Sequence, residues 1–144
     1  MASMMRRFLL IAALGTTLHA SESVVAAKII DKVVASMFHT DKSIQARGYT
    51  QQHNDIITHS KTMRLVSKIE DAKFYLVDLK IPDSIPENTI LFSTDIEIFY
   101  NDERVIGAFY WQKGRPNLIF LRERLERYGV RLSDEFKDYI EDEL

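Results

Sequence analysis

Two polar groupings in this chain have residue types suited to binding. The first is Ser93-Thr94-Asp95, where an apolar strand, Thr89 to Phe92, gives way to a helix running to Tyr100. Backbone N–H groups at a helix start favour an anion, and parallel α/β sheets collect ligands at the carboxyl ends of their strands. The same turn also serves as a plain N-cap, and the Asp95 carboxylate opposes an anion. The second grouping is Trp111-Gln112-Lys113-Gly114-Arg115-Pro116-Asn117, which sets the single tryptophan beside Lys113 and Arg115. Aromatic and arginine side chains build recognition surfaces and anion pockets. A hairpin tip with Trp111 tucked beneath it fits the same residues. The candidate ligand- or partner-binding residues are therefore Ser93, Thr94, Trp111, Lys113, Arg115 and Asn117.

Catalytic chemistry finds less support. No G-x-S-x-G elbow, H-E-x-x-H pair or glycine-rich phosphate loop occurs. His53 and His59 are six residues apart, on different faces of a helix, and with His39 they read as surface or loop histidines. The chain has no cysteine, which excludes disulfides, thiolate metal sites and a cysteine nucleophile. The expectation is a protein without enzymatic activity, cofactor or metal, with an enzyme of unrecognised type as an alternative. Arg122, Arg124, Arg127 and Arg131 join Arg115 in a locally basic stretch that suits an acidic partner, unless Glu123 and Glu126 neutralise it.

The N-terminus carries an address. Arg6-Arg7, the apolar run Phe8 to Leu14, the break at Gly15 and the small residue of Leu18-His19-Ala20 form the three parts of a secretory signal, in order. The run is well short of the ~20 residues that span a bilayer, so residues 1–20 read as a cleaved signal peptide rather than an anchor. Residues 21–144 then form a single domain. Removing Arg6 and Arg7 from the 19 basic residues leaves 17 against 21 acidic, a mature net charge of −4. That balance excludes a general attraction to nucleic acid or anionic lipid. Small secreted domains of eukaryotes often rely on disulfides. A cysteine-free one points instead to a bacterial periplasm, with no membrane anchor after cleavage.

These groupings must be held by a scaffold, and the hydrophobic pattern supplies one. Ser21 to Phe38 repeats Val25, Ile29, Val33 and Met37 every four residues, beside Ala26, Ile30, Val34 and Phe38, which predicts a helix with a broad apolar stripe. Strands are expected at Ser43 to Gly48, Met63 to Ser67, Lys73 to Leu79, Thr89 to Phe92, Val105 to Gln112 and Pro116 to Leu121. The last two form a hairpin about Lys113-Gly114-Arg115. Short helices are expected at Gln51 to Ser60 and Leu121 to Tyr128, the latter ended by Gly129 as a C′ residue. A last amphipathic helix follows Ser133, with Phe136, Tyr139 and Ile140 turned inward. Helices interleaved with apolar strands give an α/β class: a small mixed sheet of about five to six strands with a C-terminal hairpin, covered by helices on both faces.

The run VIGAFYWQKGRPNLIFLRERLERYGVRLSDEF, Val105 to Phe136, resembles the C-terminal part of small periplasmic proteins of epsilon-type proteobacteria. These in turn distantly resemble the YfiR family of periplasmic regulators. The matching parts are Ile106-Gly107, the Lys113-Gly114-Arg115 turn, Leu118 to Phe120, Tyr128-Gly129 and Leu132-Ser133. The upstream phrase SKIEDAKFYLV matches in place, with Ala72-Lys73 departing from the family's pattern. The resemblance implies a compact periplasmic α/β regulator that acts on an inner-membrane sensor or cyclase. This chain differs in being shorter and in lacking the disulfides of some members. A periplasmic protein for a small anionic ligand or solute is the alternative.

Overall fold

A computed structural model describes residues 22–144; the signal-peptide reading of residues 1–20 lies outside them. Helix α1, residues 22–38, lays its apolar stripe on the sheet: Ala26, Ile30, Val33, Val34 and Met37 are buried, while Lys28 and Lys32 face solvent. Then follow β1 (Ile44–Gly48), α2 (Gln51–Thr58), β2 (Met63–Leu65), a 3-10 turn (Ile69–Asp71), β3 (Phe74–Val77), β4 (Ile90–Ser93) and α3 (Ile96–Asn101). The chain continues through β5 (Val105–Gln112), β6 (Arg115–Leu121), α4 (Arg122–Arg127), a second 3-10 segment (Asp134–Tyr139) and β7 (Ile140–Glu141). The class is α/β, as the sequence implies. The sheet has seven strands, more than the five to six expected, in the order β2-β1-β3-β4-β5-β6-β7.

The extra strand and the missing last helix have one cause. Ile140 and Glu141 pair in parallel with Phe120 and Leu121, so the segment after Ser133 must return to the sheet edge within a few residues. It does so as a 3-10 segment, which buries Phe136 and leaves Tyr139 44% exposed. Tyr139 thus departs from the inward orientation the pattern suggests.

β2, β1, β3, β4 and β5 are mutually parallel; β6 turns back through a two-residue loop, and β7 runs alongside it in the same direction. Lys113 (φ 52°) and Gly114 (φ 74°) both take left-handed conformations. That is the turn whose twist matches a hairpin. Right-handed crossovers then decide which face each connection covers. The chain moves one way from β1 to β2 and the other way from β3 through β4 to β5. Accordingly α2 shares one core with α1, Phe74, Leu76 and Phe92, while α3 and the 78–89 loop cover Tyr75, Val77 and Leu91 on the opposite face.

The first core contains an aromatic ladder, Phe74–Phe92–Phe120–Phe136, with successive centroids 5.8, 6.0 and 6.1 Å apart. Phe92 and Phe120 lie on strands either side of β5, and both are in register with Gly107. Their rings meet because Gly107 has no side chain there; a Cβ would stand 2.5 Å from the Phe120 ring.

Asp31 ties α1 to the α2–β2 loop. Its carboxylate accepts from the Lys61 N–H at 3.0 Å, the Thr62 hydroxyl at 2.6 Å, the Thr62 N–H at 3.2 Å and the Ser60 hydroxyl. Partial burial works to raise its pKa, but these hydrogen bonds together outweigh burial and hold the group below its ordinary 3.8. A carboxylate depressed by folding stabilises the fold above the unfolded value, and that contribution is lost as pH falls through the lower folded value. Urea midpoints of the wild type should therefore fall on acidification below pH 3.8. An Asp31→Ala variant should be ~1–3 kcal/mol less stable at neutral pH, with a shallower acid slope. Equal acid slopes in the two proteins would remove Asp31 from this role.

Candidate functional site

Strand β1 ends at Gly48, and Thr50 caps the helix that follows. The Thr50 hydroxyl accepts the His53 N–H at 3.2 Å, and the His53 Nδ1 accepts the Thr50 N–H at 3.2 Å, a reciprocal capping box. Because Nδ1 accepts, the ring proton of the neutral imidazole sits on Nε2, which donates to Thr94 Oγ1 at 2.7 Å. Asp78 Oδ2 lies 3.9 Å from the same nitrogen. His53 is 2% exposed, so the sequence expectation of a surface or loop histidine is corrected.

Burial holds the His53 imidazole below its ordinary pKa of 6.5, against the opposing pull of the Asp78 carboxylate. Protonation would also place a hydrogen on Nδ1 facing the Thr50 N–H and break the cap. A group depressed in this way stabilises the fold above its unfolded pKa, and the contribution fades as pH falls toward the folded value. Thermal midpoints should decline on acidification from pH 6.5, and His53→Gln should flatten that decline. An unchanged slope in the variant would assign the dependence to other groups.

These residues gather because the sheet reverses direction here. Gly48, Val77, Ser93 and Ala108 close the parallel ladders of β1, β3, β4 and β5 at neighbouring levels. The hairpin carries β5 onward from Phe109 to Gln112, forming a wall past that edge. β1 feeds a connection on one face and β3 a connection on the other, so a crevice opens between them; open α/β sheets bind ligands at such a switch point. The cavity there measures about 480 Å³. His53 and Ile56 of α2, Asp78 and Thr94 line it from the strand ends, Tyr110 and Trp111 from the wall. The start of α1, at Glu22 and Ser23, lies across from them.

The expected residues divide. Thr94 and Trp111 lie in the crevice. Ser93 is fully buried, with its hydroxyl accepting the Asp95 N–H at 2.8 Å and donating to the Asp95 carbonyl at 2.6 Å. The N-cap of α3 is Asp95 itself, accepting the Glu97 N–H at 2.8 Å, so a carboxylate of the chain occupies the place an anion would take. Lys113 and Arg115 stand exposed at the hairpin tip. Asn117 borders a separate groove of about 260 Å³ with Pro116, Phe136 and Tyr139. Trp111 is 38% exposed and meets Phe109 edge-on at 5.7 Å, so it is not tucked under the turn.

Three arginines of the basic stretch are also internally engaged. Arg122 pairs with Asp142 at 2.7 Å, Arg127 with Glu123 at 3.2 Å and with Glu103 at 3.6 Å, and Arg124 is buried. His53, Asp78 and Tyr110 are the site residues that the sequence reading passed over. The phrase Gly48-Tyr49-Thr50-x-x-His53 after an apolar strand held the available signal, a cap whose third residue turns inward.

Fold and crevice together define a small open-sheet α/β domain with a crevice at its switch point. Protein-family models, curated proteins and solved structures offer no match to the chain.

Proposed function

We propose that this chain is an exported, non-enzymatic regulatory module that takes a small ligand in the switch-point crevice and acts on a membrane-bound signalling protein. The observation that carries the ligand half is the crevice itself: about 480 Å³, walled by β5 and floored by strand ends. Both ring nitrogens of His53 are occupied by Thr50 and Thr94, which suits a positioning role better than that of a general base. The regulatory half rests on the secretory pattern of residues 1–20 and on the resemblance of Val105 to Phe136 to YfiR-type regulators. Among the described residues no helix is long and apolar enough to cross a membrane.

The test is to express the tagged chain from its own first methionine in a bacterium, fractionate the cells and capture partners from solubilised membranes. The expected result is a periplasmic protein that retains a sensor kinase or diguanylate cyclase. Recovery of nothing above background would overturn the regulatory half. The crevice also favours a second reading, a periplasmic carrier of a small solute with no membrane partner. That reading expects ligand-dependent stabilisation without capture of any signalling protein.

A further inference from the structure

We propose that the crevice selects a small organic cation, an ammonium or guanidinium group borne on an apolar or flat body. This rests on the reading of the crevice as a ligand site, and it reverses the anionic ligand that the sequence suggests. The charged residues lining the cavity are Glu22, Asp78 and Asp95; among the described residues no lysine or arginine lines it. His53 adds no positive charge, because burial and the Thr50 N–H both favour its neutral form. The cations of the hairpin, Lys113 and Arg115, lie beyond Trp111 and outside the lining.

The carboxylates of Asp78 and Asp95 are placed to receive a donor. One Asp78 oxygen accepts the Leu79 N–H at 2.5 Å, and the other lies beside a His53 proton already directed to Thr94. Asp95 uses one oxygen on its cap and keeps the second. Aromatic residues of β5 also line the cavity. Trp111 shares a face of the strand with Phe109, which supports the indole edge-on, while Tyr110 borders the cavity from the other face. Carboxylates and a tryptophan lining one cavity suit an organic cation, whose charge can be shared between an ion pair and a π face.

A bare metal ion fits poorly. Among the described residues no group of three or more His, Cys, Asp or Glu is close enough to hold one. Acids spread around a cavity of about 480 Å³ match a cation with a body of its own.

The experiment is calorimetric titration of the purified protein with choline, agmatine and arginine. The neutral isostere 3,3-dimethylbutan-1-ol, acetate and inorganic phosphate are titrated in parallel. At least one of the three cations should bind about tenfold or more tightly than the neutral alcohol, an advantage that shrinks with added salt. Asp78→Asn and Trp111→Ala should each weaken that cation about tenfold, with melting curves confirming that both variants fold. Lys113→Ala, at the hairpin tip, should leave binding unchanged. Cations no tighter than the alcohol, or tighter binding of acetate or phosphate, would overturn the charge class while leaving the ligand crevice intact. Binding by no probe of any charge would overturn both.

Discussion

Replacing Gly48 with alanine is expected to destabilise the protein by ~3 kcal/mol or more, at the upper end of what overpacking costs. The added Cβ would lie 2.0 Å from the His53 Cβ, 3.0 Å from its Cγ and 3.1 Å from its Cα. No side-chain rotation relieves a clash with a Cβ, so the first turn of α2 must move. That turn holds the Thr50–His53 capping box, and the movement also draws Nε2 away from Thr94. The substitution should therefore lower the urea midpoint and abolish crevice binding together. A double-mutant cycle isolates the cause. In a His53→Gly background the opposing Cβ is gone, and Gly48→Ala should then cost only a small fraction of its effect in the wild type. Additive energies would show that Gly48 matters for some reason other than its approach to His53.

Gly48 also marks where reading the sequence stops being sufficient. The elements were legible because their signals are local. The double apolar column of α1 needs one covering surface, and Lys113-Gly114 has the chemistry of a two-residue hairpin turn. Gly129 ends α4 as the sequence implies: its φ is 65°, its N–H bonds to the Glu126 carbonyl at 3.1 Å, and the Val130 N–H bonds to that of Leu125 at 2.8 Å. β7 was not legible, because two residues carry no periodicity and their pairing partner, Phe120–Leu121, is some twenty residues away.

The site was legible only in halves. Thr94 and Trp111 could be picked out by residue type and by position at strand ends. His53 looked like one polar residue on a short polar helix, since its burial depends on Thr94, 41 residues onward, and on a strand order that no local pattern encodes. Asp78 was likewise hidden as the polar end of a continuous apolar strand. The acidic character of the crevice follows from that strand order. The conspicuous cations Lys113 and Arg115 belong to the hairpin tip, while carboxylates scattered through the sequence converge below it.

Arg124 shows the same reversal, and its removal should have the other large effect. The sequence offers it as one cation of a basic surface, yet the residue is 5% exposed. The two hydrogens of its Nη1 serve three carbonyls, Phe99 at 2.6 Å, Val105 at 2.8 Å and, through a shared hydrogen, Asp102 at 3.2 Å, and the guanidinium carbon sits 4.7 Å from the centroid of the Phe99 ring. Phe99 and Asp102 bring the carbonyl end of α3, where a cation is favoured, and Val105 begins β5. One side chain thus holds α4, α3 and the first residue of the wall strand together. Burial lowers the proton affinity of the guanidinium, against the pull of Asp102, without bringing a neutral arginine within reach. Arg124→Met keeps most of the volume but leaves the carbonyls without their donor. A loss of about 3–5 kcal/mol is expected, because buried carbonyls left without a donor cost ~1–3 kcal/mol each. Arg124→Lys keeps the charge, but its ammonium ends short of the Nη1 position and loses the flat guanidinium over the Phe99 ring, so its midpoint should fall between those of wild type and Arg124→Met. Urea denaturation followed by circular dichroism measures both. A methionine variant as stable as the wild type would mean that water replaces the guanidinium at the end of α3, and that α3 and α4 are held by their apolar contacts alone.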